Sequence, residues 1–73
     1  MSNSQIAQIF SQMADLMEIK GEDRFRINAY RTAARAIADL GEDVADVAAR
    51  NELLKIPGVG KGTAAKIIEF LRE

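Results

Sequence analysis

An all-α fold, a compact bundle of four to five short helices, is predicted by three observations: apolar residues recur at helical spacing, two Gly-Glu-Asp tripeptides interrupt them, and a glycine-rich corner precedes a last amphipathic stretch. The first helix is expected over about Ser4 to Ile19, where Ile6, Ile9, Phe10, Met13, Leu16 and Met17 fall in one stripe. Gly21 stops it, and the acids within Gly21 to Asp23 and Gly41 to Asp43 are placed to cap the helices that follow. Between these boundaries the second helix is expected to bury Tyr30, Ala33, Ala34, Ile37 and Leu40, its alanines implying close helix contact. A third, about Asp43 to Arg50, offers Val44, Val47 and Ala48, and a short fourth runs from Asn51 to Lys55. The fifth, about Lys61 to Arg72, presents Ala64, Ile67, Ile68 and Leu71, with Phe70 closing one side. Connections this short leave no linker, so residues 1–73 are expected to form a single domain.

A chain of 73 residues buries only about 60% of its unfolded surface, which disfavours deep substrate cavities and puts function on the outside. Without Cys or His there is no disulfide, no common zinc ligand set and no imidazole base, so any catalysis must rest on Lys, Tyr or carboxylates. No apolar run approaches the roughly 20 residues of a membrane span, and Met1 to Lys20 lacks the basic start and cleavage site of a signal peptide. The expected setting is cytoplasmic, with no membrane partner.

The most informative stretch is Leu53 to Ile67, which puts Pro57, Gly58 and Gly60 between a short apolar helix and a longer one. Pro57 cannot continue the first helix, and the two glycines permit backbone angles and close approaches that a side chain would forbid. The amides from about Gly60 to Thr63 are then expected to point outward with the positive end of the helix dipole behind them, and Lys61 adds a full charge. A P-loop is excluded because Gly62, not Ser or Thr, follows Lys61 and no strand precedes. A dinucleotide fingerprint is excluded because Gly58, Gly60 and Gly62 alternate at every second residue without a crossover unit. The remaining reading is a helix-hairpin-helix at about residues 51–72, built to meet phosphate.

The net charge of −1 hides a segregation by segment. Met1 to Asp23 and Ala36 to Leu54 are acidic, whereas the stretch holding Arg24, Arg26, Arg31 and Arg35 and the stretch from Lys55 to Glu73 are basic. On a helical wheel Arg24, Asn28, Arg31 and Arg35 form one ridge opposite Tyr30 and Ile37. For three arginines alone a solvated helix face is the expected reading, until the hairpin is added; together the two features suit neighbouring phosphates of one strand. Phe25 and Tyr30 flank the ridge, and for Phe25 taken alone a core position is expected. Lys66 stands nearly above Gly62, on the side of its helix toward the open hairpin, although a helix lysine taken alone is expected to be merely solvated.

These residues resemble the amino-terminal, lyase-type domain of family X DNA polymerases, DNA polymerase beta-like and of bacterial or archaeal type. The resemblance runs through Leu16-Met17-Glu18-Ile19-Lys20-Gly21-Glu22, Phe25-Arg26-Ile27-Asn28-Ala29-Tyr30-Arg31-Thr32-Ala33-Ala34-Arg35, Ile56-Pro57-Gly58-Val59-Gly60-Lys61-Gly62 and Ala65-Lys66-Ile67-Ile68-Glu69-Phe70-Leu71. The hairpin alone is shared by many DNA-binding proteins; its union with the Asn-Ala-Tyr-Arg segment is much more specific.

The resemblance implies the amino-terminal fragment of a larger polymerase, a monomeric module that grips the 5′-phosphate side of gapped or nicked DNA in base excision repair and, in some members, removes the abasic sugar remnant. It assigns Lys66 as the Schiff-base lysine, Tyr30 as its active-site tyrosine, Arg26 as a 5′-phosphate contact and Phe25 as a residue stacked on the template base. Arg31, Arg35, Lys55, Gly58, Val59, Gly60, Lys61, Gly62 and Thr63 complete the expected DNA-binding set. No cofactor is required, but the carbonyls of Leu54, Ile56 and Val59 match those that hold a monovalent cation, sodium or potassium, beside a DNA phosphate. Gly62 and Leu54 stand where relatives carry lysine, with Lys61 and Lys55 one residue away. The competing readings are a catalytically silent DNA-binding module and a protein-interaction domain. Binding to gapped DNA separates the last from the others, and borohydride trapping separates the first two.

Overall fold

The computed structural model describes residues 1–72. They form α1 (Asn3–Lys20), α2 (Arg24–Ala38), α3 (Val44–Ala49) and α4 (Lys61–Leu71), with a 3₁₀ turn at Leu53–Lys55 ahead of α4 and no strand among the described residues. No helix among them is long and apolar enough to cross a membrane.

The first three helices each begin where a side chain takes up an orphan amide. Ser2 starts α1 with a reciprocal box, its hydroxyl accepting from the Gln5 amide at 3.2 Å while the Gln5 side chain accepts from the Ser2 amide at 2.8 Å. Asp23 caps α2 through the Phe25 amide, and Asp43 caps α3 through the Ala45 amide. Asn3 adds a tie across the chain: its side chain donates to the Glu42 carbonyl at 2.7 Å and accepts from the Val44 amide at 2.8 Å. One residue thus joins the first turn of α1 to the start of α3. Asn3→Ala removes both bonds and leaves the part-buried Val44 amide unpaired, so it is expected to cost about 1–2 kcal/mol, read as a lower midpoint in urea unfolding.

The core is a single cluster in which Ile6, Phe10, Ile27, Ile37, Val44 and Ile67 are fully buried. Several expectations change. Leu16 is 59% exposed, because Ala7 and Ala14 supply the interior positions of α1 beside Phe10 and Met17. Small residues there let α1 and α2 approach closely, and the stripe turns away from Leu16. Ile27, not predicted, is buried near the start of α2, while Leu40 lies beyond the helix end and only packs against the core edge. Ile68 is partly exposed on α4.

The expected fourth helix contracts to one 3₁₀ turn because Asn51 adopts φ +62°. It ends α3 as Gly21 ends α1: the Glu52 amide reaches back to the Val47 carbonyl at 3.0 Å, and the Glu22 amide to the Met17 carbonyl at 2.9 Å. The left-handed corner therefore moves the chain off the helical path before Leu53.

Candidate functional site

Where the hairpin meets α2, its backbone comes close enough that only glycine fits. Gly58 has φ +97°, and a Cβ there would lie 3.0 Å from the Thr32 Cγ2 and 3.2 Å from the Ala36 Cβ. Gly60 is different. Its φ of −101° is open to any residue, and a Cβ would meet nothing within 4 Å. The conformational need expected at both glycines thus rests on Gly58, while Gly60 leaves an open approach to α4.

The amides at that approach are fewer than the sequence suggested. The Gly60 amide is already used, donating to the Thr63 hydroxyl at 3.0 Å, and that hydroxyl donates back to the Gly60 carbonyl at 3.2 Å. Thr63 is only 4% exposed, so its side chain is part of the corner and offers a ligand its amide alone. The amides of Lys61, Gly62 and Thr63 have no acceptor among the described residues. They are the orphan donors of α4, at the positive end of its dipole.

Beside them opens a cleft of about 380 Å³ whose walls include Arg26, Tyr30, Gly58, Gly60, Gly62 and Lys66. It unites α2 with the hairpin. Tyr30 is 6% exposed, its ring held edge-on against Phe10 at 5.5 Å between centroids. Its hydroxyl has no partner among the described residues and is not a buried unpaired atom, so it opens to solvent. Lys66 reaches the same space from α4, with its Nζ 3.5 Å from the Glu69 carboxylate. Arg26 arrives from the first turn of α2, its Nη1 3.3 Å from Glu22.

Phe25 is 85% exposed, which overturns the expected core position and leaves its ring free at the start of α2. Lys55 is exposed as well, with Nζ 3.0 Å from Glu52. The expected arginine ridge is divided. Arg31 bonds Asp15 at 3.0 Å and Glu18 at 2.6 Å, and Arg24 lies 3.8 Å from the same Glu18. The Arg31 hydrogen bond, reinforced by the charge of Arg24, holds the Glu18 carboxyl below its usual range, and Glu18 in turn raises Arg31. Arg50, bonded to Glu42 and Glu52, similarly depresses Glu52, with Lys55 adding to the effect. Arg31 and Arg35 line a separate cleft against Ala7, Gln8 and Ser11 of α1 and do not reach the one that holds Lys66.

Lys61 and Lys66 also part company. They stand about 140° apart around α4 at roughly 100° per residue, and Lys61 borders an apolar groove with Leu53, Leu54, Ala64 and Ile68 on the other flank. The carbonyls expected to hold a cation fit that use in part. Those of Leu54 and Val59 accept no hydrogen bond among the described residues, whereas that of Ile56 accepts the Val59 amide at 3.1 Å. No cluster of carboxylates suited to a metal ion occurs among the described residues.

Asp15 and Glu18 belong to the acidic segment before α2, so the charge of each segment by itself does not reveal them as counterions of Arg31. The Glu22–Arg26 pair was legible from its i, i+4 spacing.

A family model for a helix-hairpin-helix domain matches residues 1–73. The chain is also 32% identical over 73 residues to the DNA polymerase/3′-5′ exonuclease PolX of Bacillus subtilis strain 168. That match covers all of this chain and 12% of the relative's length.

Proposed function

This chain belongs to the helix-hairpin-helix domain family, and from that premise we propose that it binds DNA without reading sequence, holding a strand by its phosphates at the open end of α4. The observation that carries this reading is the junction of three unpaired amides, at Lys61, Gly62 and Thr63, with a cleft bearing Arg26 and Lys66. Amides and cations recognise phosphate oxygens, and the hairpin has no element shaped for base edges. A 5′-terminal phosphate at a gap or nick suits the cleft better than an internal one, because it carries more charge and its strand ends there. Exposed Phe25 can stack on a base beside such a gap. A sodium or potassium ion held by the carbonyls of Leu54, Ile56 and Val59 would supply positive charge next to the phosphate.

Binding should be weak, since Arg26 and Lys66 each face a carboxylate of the same chain that a phosphate must displace. With about three phosphates neutralised, log K is expected to fall with log salt at a slope of roughly −2 to −3. Fluorescence anisotropy with gapped DNA, with and without a 5′-phosphate and across a salt series, measures both quantities. Affinity indifferent to salt and to the phosphate would favour the protein-interaction reading.

A second reading follows from the amine of Lys66 and the hydroxyl of Tyr30 opening into one cleft: 5′-deoxyribose phosphate lyase activity in base excision repair, as a module of a family X polymerase. The Lys66 amine attacks the aldehyde carbon of the ring-opened abasic sugar and water leaves, forming an iminium that acidifies the neighbouring C2′ proton. Loss of that proton breaks the C3′–O bond, and the downstream strand departs with its phosphate. Borohydride reduction of the iminium on a pre-incised abasic substrate separates this reading from a catalytically silent module.

A further inference from the structure

We propose that Glu69 is the base that takes the C2′ proton in this elimination, an inference that rests on the lyase reading of Lys66. One turn of α4 sets the two side chains three residues apart on neighbouring positions of its surface. The Glu69 Oε2 lies 3.5 Å from the Lys66 Nζ, and among the described residues it is the carboxylate that pairs with this amine. Once Nζ is bonded to C1′, the C2′ carbon is two bonds from Nζ, so a carboxylate that already touches the amine is within a small side-chain rotation of the C2′ hydrogen. Glu69 stands beside the cleft rather than in its wall, and the polar side chains that do line the cleft suit the task less well. Arg26 has no basic atom to offer, and a neutral phenol such as Tyr30 accepts a proton far less readily than a carboxylate.

The step balances. Glu69 takes the C2′ proton, the C–H electron pair becomes the C1′–C2′ double bond of an enamine, and that enamine expels the C3′ oxygen with its bonding pair as part of the departing phosphate. The side chain of Glu69 is 64% exposed, so it can release the proton to solvent before the sugar is hydrolysed from Lys66. An i, i+3 pair on an exposed face has little structural value, which makes the substitution a clean probe.

Single-turnover reactions with saturating protein on pre-incised abasic DNA test the assignment, with DNA affinity measured in parallel. Glu69→Gln is expected to slow sugar release about 100-fold while the fraction trapped by borohydride equals or exceeds that of the unmodified chain, because the iminium accumulates. Glu69→Asp should restore much of the release. A folded Glu69→Gln protein that is trapped and releases sugar at the unmodified rate overturns the proposal and leaves the lyase reading standing. Parallel loss of trapping and release would place Glu69 before the iminium and also overturn it. If the unmodified chain binds this DNA but is neither trapped nor active, both fall together.

Discussion

Lys66→Ala is expected to abolish borohydride trapping on a pre-incised abasic substrate while leaving DNA affinity within a few-fold of the original. On the lyase reading, removing the amine removes the atom that would form the iminium, whereas one cation among several contributes little to a distributed grip. Lys61→Ala should act in the opposite sense. Lys61 sits at the open end of α4 beside the orphan amides and has no ion-pair partner among the described residues, so its loss should weaken binding and reduce the salt slope by about 1. The two lysines stand on different flanks of α4, so their effects should separate cleanly. Trapping that survives in Lys66→Ala would move the nucleophile elsewhere and remove the observation on which the lyase reading depends.

Gly58→Ala is expected to be the most damaging single methyl added to this fold. The left-handed φ of +97° costs a residue with a Cβ on the order of 1–3 kcal/mol. The new carbon would also press on the Thr32 Cγ2 at 3.0 Å and the Ala36 Cβ at 3.2 Å, adding a comparable overpacking cost of about 1–3 kcal/mol. A domain of this size is stable by only roughly 4–10 kcal/mol in total. Gly60→Ala, two residues along, has ordinary backbone angles and empty space around it, so it should unfold within about 1 kcal/mol of the original. Urea titrations of the two proteins followed by circular dichroism make the comparison directly. Equal stabilities would mean that the hairpin does not rest on α2 as described.

Much of the bundle was legible because its signals are local. Gly21, Asp23, Asp43 and the periodic run from Ala64 to Leu71 punctuate or pattern the chain within a few residues, and the elements they announce are present with ends within about two residues. What escaped depends on neighbours distant in the chain. Leu16 and Ala14 have similar claims to the interior until α2 is placed against α1, and Arg31 reads as a free cation until Asp15 and Glu18 arrive beside it. Asn51 gave no warning, since any helix-breaking role for Asn depends on whether its backbone turns left-handed. At the site, the union of Arg26, Tyr30 and Lys66 with the hairpin followed from family resemblance, whereas the capture of the Gly60 amide by Thr63 and the exposure of Phe25 required the folded backbone.

The position of Tyr30 gives the molecule a built-in optical reporter. The chain contains one Tyr and no Trp, so its near-ultraviolet emission arises almost wholly from this single ring. That ring packs edge-on against Phe10, whose own ring lies tilted against Phe70 at 5.6 Å, and Tyr30 also lines the cleft that holds Arg26 and Lys66. Loss of the core frees the ring and alters its rotational anisotropy. Occupation of the cleft changes the hydrogen bonding of the phenol and hence its quantum yield, with the ring still immobile. Folding and ligation therefore write different signatures into one intrinsic signal, and neither needs an added dye.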